Sequence, residues 1–317
     1  MLVHLRLTVP TALSEDVVAL LRDEDRSANL TLSRGASLSP LGDLVECDVA
    51  RELVGELLER LQALGLDEAG GILVTTPTAT PFAAARRLER SAPGDPDDAV
   101  IWDAVIDQCY AASRPSVSFH IFLVLATLLA AIAVVTDSSV LVIGAMVVGP
   151  EFGTVAAIAT GIVFRRAGLT WRAARLLVLS FVVAIAVVAL LSLVASLTGL
   201  ASADMVTRPR PQTGFIWHPD RWSFIVALIA GAAGVLALTT ARANAMVGVF
   251  ISVTTVPAAG NLALALGTWA PSEMRGSIAQ LGVNIAGMVL AGVVVLVLQR
   301  LLWSRVLRTS QRLFSRA

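Results

Sequence analysis

Pro150-Glu151-Phe152-Gly153 lies near the middle of one long apolar segment, residues 140–164, and Pro257-Ala258-Ala259-Gly260 lies near the middle of another, residues 243–266. A proline inside a membrane helix removes one backbone donor and frees carbonyl groups, which lipid cannot satisfy. Such a proline is retained where neighbouring protein or a polar cavity takes up the freed groups. Interrupted helices at matching places in two halves of a chain are typical of a solute site at the bilayer midplane.

Six apolar segments are long enough to cross a membrane, and they are residues 117–135, 140–164, 176–197, 222–239, 243–266 and 278–298. Corresponding segments of the first and second three begin 105, 103 and 102 residues apart, which indicates a duplicated three-helix unit. Because each unit has an odd number of spans, the second copy enters the membrane from the opposite side. The predicted fold class is therefore an α-helical polytopic membrane protein, with six spans in two inverted three-helix repeats and broken second and fifth helices.

The N-terminal part of the chain has a different composition. Residues 1–113 hold 9 Arg and 19 Asp or Glu, whereas residues 114–317 hold 15 Arg and only 5 acidic residues. Short segments that suit strands (residues 2–9, 29–34, 44–49 and 71–75) alternate with two amphipathic helical segments (residues 14–22 and 51–64) in the order βαββαβ. This order predicts a ferredoxin-like α+β domain.

Four domains follow from these patterns: a cytoplasmic ferredoxin-like domain at 1–76, a linker with amphipathic helices at 77–115, a six-span domain at 116–303 and a basic cytoplasmic tail at 304–317. If the N-terminus lies inside, eleven arginines of the membrane half fall in inner loops or the tail and four in outer loops. Excess arginine marks the cytoplasmic side, so both termini are predicted to be cytoplasmic.

The candidate solute site collects small and polar residues around the two breaks: Gly144, Pro150, Glu151, Gly153, Ser252, Thr255, Pro257, Gly260, Asn261 and Asn284. Glu151 is the most informative of them, because a carboxylate at mid-depth is normally protonated, paired or in contact with water. It is interpreted as a proton-coupling group, a cation ligand or a structural acid. The glycines have an alternative explanation, since small residues at every fourth position also permit close helix packing.

Two further stretches carry a resemblance to a known family. Residues 138–146 (Ser-Ser-Val-Leu-Val-Ile-Gly-Ala-Met) precede Pro150, and residues 230–238 (Ala-Gly-Ala-Ala-Gly-Val-Leu-Ala-Leu) precede Val256-Pro257 and Asn284. Together they resemble the bacterial and archaeal membrane family of domain of unknown function 389, over nearly the whole chain. The resemblance implies a multi-pass protein of the bacterial plasma (inner) membrane with a small acidic N-terminal domain, and it supplies no substrate.

Catalytic signatures are absent from the sequence, and His4, His120 and His218 are widely separated. Cys47 and Cys109 have no metal-ligand spacing, so neither enzyme activity nor a metal or cofactor is predicted.

The leading hypothesis is a transporter or channel for a small polar or ionic solute, regulated by its cytoplasmic domain. The alternative is a membrane-anchored sensor or scaffold without transport activity. The expected partners are the solute, the lipid bilayer and a second copy of the chain in a homodimer, with no nucleic acid.

Overall fold

The computed structural model describes residues 1–22, 27–92, 99–240 and 254–314, with side chains described as far as residue 302. The chain divides into two compact units, one centred on Met1–Asp103 and the other comprising Ala104–Leu301.

The first unit is built on a four-stranded antiparallel sheet with the strand order β2-β3-β1-β4. Its elements are β1 (Leu2–Pro10), α1 (Ser14–Arg22), β2 (Ser27–Leu38), β3 (Leu41–Ala50), α2 (Arg51–Ala63), the short α3 (Leu66–Ala69) and β4 (Gly71–Thr75). Side chains alternate along β1, where Leu5 and Leu7 are buried and Arg6 between them is exposed. The small N-terminal sheet and its βαββαβ order are therefore present as predicted, with α3 as an additional turn of helix.

The hydrophobic core of this unit also includes residues beyond position 76. Ala85 and Leu88, from α4 (Ala83–Ser91), and Ile101 are buried in the same cluster as the sheet and α2. Arg51 Nε donates to the Ala99 carbonyl oxygen at 3.0 Å. Part of the segment predicted as a linker thus completes the core of the N-terminal unit.

The second unit is helical. The described helices that lie in it wholly or for most of their length are α5 (Trp102–Ala112), α6 (Val117–Thr136), α7 (Ser139–Val148), α8 (Glu151–Val163), α9 (Ala167–Leu197), α10 (Ala203–Thr207), α11 (Arg221–Thr239), α12 (Thr255–Thr268) and α13 (Pro271–Phe314).

Four of the described helices are long and apolar enough to cross a membrane: α6, α9, α11 and the Pro271–Leu302 part of α13. Together, α7 and α8 would form a fifth span that is bent by 55° at the break between them. The prediction of a helical membrane protein is confirmed at this level. The six spans and the inverted repeats stay predictions, because residues 243–253 of the predicted fifth span lie outside the described residues.

The break between α7 and α8 coincides with Pro150. Helix α7 ends at Val148, Gly149 is extended at φ −66° and ψ 127°, and α8 begins at Glu151. Pro257 has a different local role, because it is the third residue of α12. The first turn of a helix has no intrahelical acceptors for its N–H groups, so a proline there costs no hydrogen bond.

Helix α12 is buried along almost its whole length and packs between α6 and α9. Gly260 permits the close crossing with α6, since a Cβ placed on it would lie 2.5 Å from Ala130 Cβ and 2.8 Å from the Thr127 carbonyl oxygen. Ala258 and Ala265 on α12 share a hydrophobic cluster with Val188 of α9. With 14 residues, or about 21 Å at about 1.5 Å per residue, α12 alone is shorter than the apolar core of a bilayer.

Candidate functional site

The starts of α8 and α12 meet at the Glu151 side chain. Glu151 is buried, with 8% of its surface exposed, and Thr255 Oγ1 donates a hydrogen bond to Glu151 Oε1 at 2.8 Å. Gly149 makes room for this arrangement, because a Cβ on it would overlap Glu151 Oε2 and would lie 2.8 Å from Val256 Cγ2. The two proline-containing segments are therefore in direct contact through the carboxylate.

The position of Glu151 is electrostatically suited to an anion. It is the first residue of α8, and the amides at a helix start carry a partial positive charge of about half an elementary charge. Oε1 is occupied by the Thr255 hydroxyl, whereas Oε2 is buried and has no hydrogen-bond partner within the described parts of the chain. Glu151 Oε1 is thus fixed by a hydrogen bond, and Oε2 has no partner among the described residues.

A second polar group adjoins this contact through Thr254, the residue that precedes α12. Thr254 Oγ1 accepts hydrogen bonds from Gln280 Nε2 at 2.9 Å and from Asn284 Nδ2 at 2.8 Å. Gln280 and Asn284 lie one turn apart on α13 and are 1% and 2% exposed. Among the described residues, Gln280 Oε1 has no partner. Glu151, Thr255, Thr254, Gln280 and Asn284 are called the polar layer below.

A cavity of about 290 Å³ leads from the surface to the polar layer. Its exposed end is formed by Asp220 and Trp222 at the start of α11, and its buried end by Thr254, Gln280 and Asn284. The remaining lining residues are Phe215, Ser223, Val226 and Ala227. Asp220 is the only charged residue that lines it within the described chain. The cavity therefore gives water and small solutes access to buried hydrogen-bonding groups.

A separate buried network is centred on Arg210, from the segment between α10 and α11. Arg210 Nη2 donates to Glu273 Oε2 at 2.5 Å, and Arg210 Nη1 donates to Asn261 Oδ1 at 2.9 Å. Asn261 Nδ2 also donates to Glu273 Oε2 at 3.0 Å and to Ser277 Oγ at 2.8 Å. The guanidinium thus joins the second turn of α12 to the first turns of α13.

The sequence prediction missed Arg210 and Glu273. Arg210 was counted only among the outer-loop arginines that orient the chain, and Glu273 was not considered. A signal existed, because only five acidic residues occur in the whole of residues 114–317. An acid that is retained in so apolar a half is expected to have a partner.

The predicted site residues fall into three groups. Glu151, Thr255 and Asn284 belong to the polar layer, and Asn261 belongs to the Arg210 network. Three glycines lie at helix contacts of different closeness: a Cβ would lie 2.5 Å from Ala130 Cβ at Gly260, 3.2 Å from Ala112 Cβ at Gly153 and 3.6 Å from Leu129 Cδ2 at Gly144. Pro150 and Pro257 act on the backbone at the two helix starts. Ser252 lies outside the described residues.

No metal centre is found in the ranges that the structure describes, where no three His, Cys, Asp or Glu side chains are grouped closely enough to hold an ion. Cys47 and Cys109 are both buried and unpaired with each other.

The helices and the polar layer define a class, namely a helical membrane protein with a broken helix at a buried polar centre and a small α+β unit beside it in sequence. Residues 146–290 match the family model described as Domain of unknown function (DUF389). Over the residues matched, this finding confirms the family that the sequence suggested. The matched range runs from α7 into α13 and contains every member of the polar layer. No curated protein and no solved structure matches this chain.

Proposed function

We propose that the protein is a membrane transporter or channel for a small polar or ionic solute, which passes through the polar layer. The observation that carries this proposal is the cavity that reaches Thr254, Gln280 and Asn284 from the surface. A protein whose helices served only as an anchor has no use for buried polar side chains at the end of an open cavity, since each of them is costly in a bilayer. A broken helix, such as the pair α7 and α8, that meets the start of another helix beside such a site is typical of transporters.

The chemistry of the cavity favours a cation or a neutral polar solute over an anion. Asp220 at its mouth is acidic, no basic side chain of the described chain lines it, and its buried end offers amide and hydroxyl groups. Gln280 Oε1 at the buried end of the cavity is an acceptor without a partner among the described residues, and Glu151 Oε2 is a second one in the adjoining part of the polar layer, outside the cavity lining. A solute with donor groups, or a partly dehydrated cation, would use those oxygens in place of water.

In this proposal the N-terminal α+β unit is cytoplasmic and regulates the path, and two copies form a dimer in the bacterial plasma membrane. Support for a regulatory role is limited to the organisation of the chain, in which this unit has its own hydrophobic core. Support for the orientation comes from the arginine distribution.

The test measures flux in proteoliposomes of the purified full-length protein. Light scattering follows glycerol and urea entry, and enclosed fluorescent indicators follow Na⁺, K⁺ and H⁺. The proposal requires that the protein raise the permeability to at least one of these probes above that of empty liposomes. Equal permeability for every probe would overturn it and favour the sensor or scaffold alternative.

A matched pair of variants links flux to the polar layer. Gln280 and Gln299 both lie on α13, and each donates Nε2 to a threonine hydroxyl, Thr254 or Thr239. Only Gln280 lines the cavity. Gln280→Leu is expected to lower flux about tenfold, as a barrier increase of about 1.4 kcal/mol would, whereas Gln299→Leu should leave it near the wild-type rate. Equal effects of the two substitutions would contradict a path through the polar layer.

A further inference from the structure

A cleft with three arginines lies at the start of α6 and α9, away from the polar layer. Its volume is about 480 Å³, and it is lined by Arg114, Arg172, Arg175 and His120 together with Ser113, Pro115, Leu176 and Leu179. Arg172 and Arg175 are three residues apart on α9, so their side chains lie on the same face of the helix. The proposed function assigns no role to this cleft.

Within the described part of the chain, no acidic side chain neutralises the positive charge of the cleft. None lines it, and none of the three guanidinium groups forms an ion pair or a side-chain hydrogen bond with another described residue. Like charges placed together are unfavourable unless an anion joins them. Guanidinium groups present planar, paired donors that match the oxygens of a phosphate.

The His120 ring forms part of the wall of the cleft, and it does not donate a hydrogen bond to an anion bound there. Its Nδ1 lies 2.8 Å from the Ser116 carbonyl oxygen, and its Nε2 lies 3.2 Å from Ser180 Oγ. Because a carbonyl oxygen can only accept, Nδ1 carries a proton, and Nε2 is occupied by the serine. The donors that remain free for an anion are those of the three arginines.

The helix that carries Arg172 and Arg175 is longer than the apolar core of a bilayer. Helix α9 has 31 residues, or about 46 Å at about 1.5 Å per residue, while the apolar core of a bilayer is about 30 Å thick. Its apolar run begins at Leu176, directly after Arg175, so we expect the first turns of α9 to extend beyond the acyl chains to the depth of the lipid headgroups. Leu176 and the exposed Leu179 follow immediately and provide an apolar wall that continues toward the membrane interior.

We propose that this cleft is a binding site for the phosphate of an anionic phospholipid, with the headgroup on Arg114, Arg172 and Arg175 and an acyl chain along Leu179. A soluble phosphate would bind the same arginines but would have no acyl chain to pack along Leu179. Basic pockets between membrane helices on the cytoplasmic side commonly bind acidic lipid headgroups, and the arginine distribution predicts that this end of the bundle is cytoplasmic.

The experiment is native mass spectrometry of the full-length protein released from micelles that contain phosphatidylglycerol and phosphatidylcholine in equal amounts. Wild type should retain phosphatidylglycerol in preference. The double variant Arg172→Gln/Arg175→Gln should retain about tenfold less, because two charge-assisted contacts are lost. The control Arg165→Gln/Arg275→Gln removes the same charge from exposed arginines outside the cleft and should retain the wild-type amount.

Two outcomes would overturn the proposal. One is an equal loss of phosphatidylglycerol in the control, which would assign retention to general electrostatics. The other is displacement of the lipid by millimolar inorganic phosphate, which would make the ligand a soluble anion. Thermal melting without added lipid checks that each variant is folded, and Arg114→Gln replaces the double variant should that protein fail to fold.

Discussion

The two carboxylate oxygens of Glu151 differ: Oε1 accepts a hydrogen bond from Thr255, whereas Oε2 has no partner among the described residues. Glu151→Gln separates charge from shape, because glutamine keeps an acceptor for the Thr255 hydroxyl and fits the space beside Gly149. If Glu151 couples protons, the variant should remain folded and transport the solute at a rate that no longer responds to an imposed pH gradient. The measurement is flux in proteoliposomes with and without that gradient. A variant that responds to the gradient as wild type does would rule out coupling at Glu151.

The glycines that the sequence assigned to one site differ sharply in their surroundings. A Cβ added to Gly260 would lie 2.5 Å from Ala130 Cβ and 2.8 Å from backbone atoms of α6, whereas the nearest neighbour of a Cβ added to Gly144 would be Leu129 Cδ2 at 3.6 Å. Gly260→Ala should destabilise the protein by about 1–3 kcal/mol, because the extra methyl forces two helices apart. Gly144→Ala should be neutral or slightly stabilising, since alanine favours a helix by about 1 kcal/mol. Melting temperatures in detergent test this contrast, and equal temperatures would contradict it.

At the scale of the helix and the strand, the sequence pattern predicts those features that neighbouring residues determine. The alternation of β1 gave the strand and its buried face, and Pro150 gave the end of α7. The third predicted span begins at residue 176, whereas α9 begins at Ala167, because Arg172 and Arg175 interrupt the apolar run although they do not interrupt the helix.

Features that depend on partners far along the chain were not predictable from the pattern. The burial of Arg210 rests on Glu273, 63 residues later, and no local periodicity contains that information. The polar layer shows the same limit. Glu151, Thr255 and Asn284 are predicted as site residues from residue type and depth, but the hydrogen bonds that join Gln280 and Asn284 to the Thr254 hydroxyl are evident only in the fold.

The Arg210 network should govern the stability of the α12–α13 pair. Removing one partner of a buried ion pair leaves an uncompensated charge, so Arg210→Met is expected to cost about 3–5 kcal/mol. Arg210→Met combined with Glu273→Leu removes both charges and should cost less than Arg210→Met alone. Unfolding in mild denaturant measures these free energies as a double-mutant cycle, with the exposed Arg275→Met as control. A double variant as unstable as the sum of its two single variants would contradict a direct coupling.

At the scale of the whole molecule, the division into two units predicts where the chain can be cut. A fragment of residues 1–103 keeps Leu88 and Ile101, which belong to the core of the α+β unit, whereas a fragment of residues 1–76 lacks both. Burial of such a side chain contributes about 1.5–3 kcal/mol, so the longer fragment should unfold cooperatively and the shorter one should be much less stable.

Cys47 reports on the folding of both fragments. Burial, aided by the nearby Asp48 charge, raises the pKa of its thiol to about 12, so the folded unit should resist alkylation by iodoacetamide at pH 8, where an exposed thiol reacts readily. The longer fragment should react only after denaturant is added. Equal rates of alkylation in the two fragments without denaturant would contradict the assignment of the residues beyond 76 to this core.

The Arg210 contact also sets an order of events during synthesis of the chain. The ribosome adds about 5–20 residues per second, so Glu273 follows Arg210 after about 3–13 seconds, given their separation of 63 residues. Until Glu273 is made, the guanidinium lacks its ion-pair partner, and for the first 51 residues of that interval it lacks Asn261 as well; we expect it to stay hydrated. The buried contact of Arg210 can therefore be completed only after the start of α13 has been synthesised, which makes it a late step in the biogenesis of the bundle.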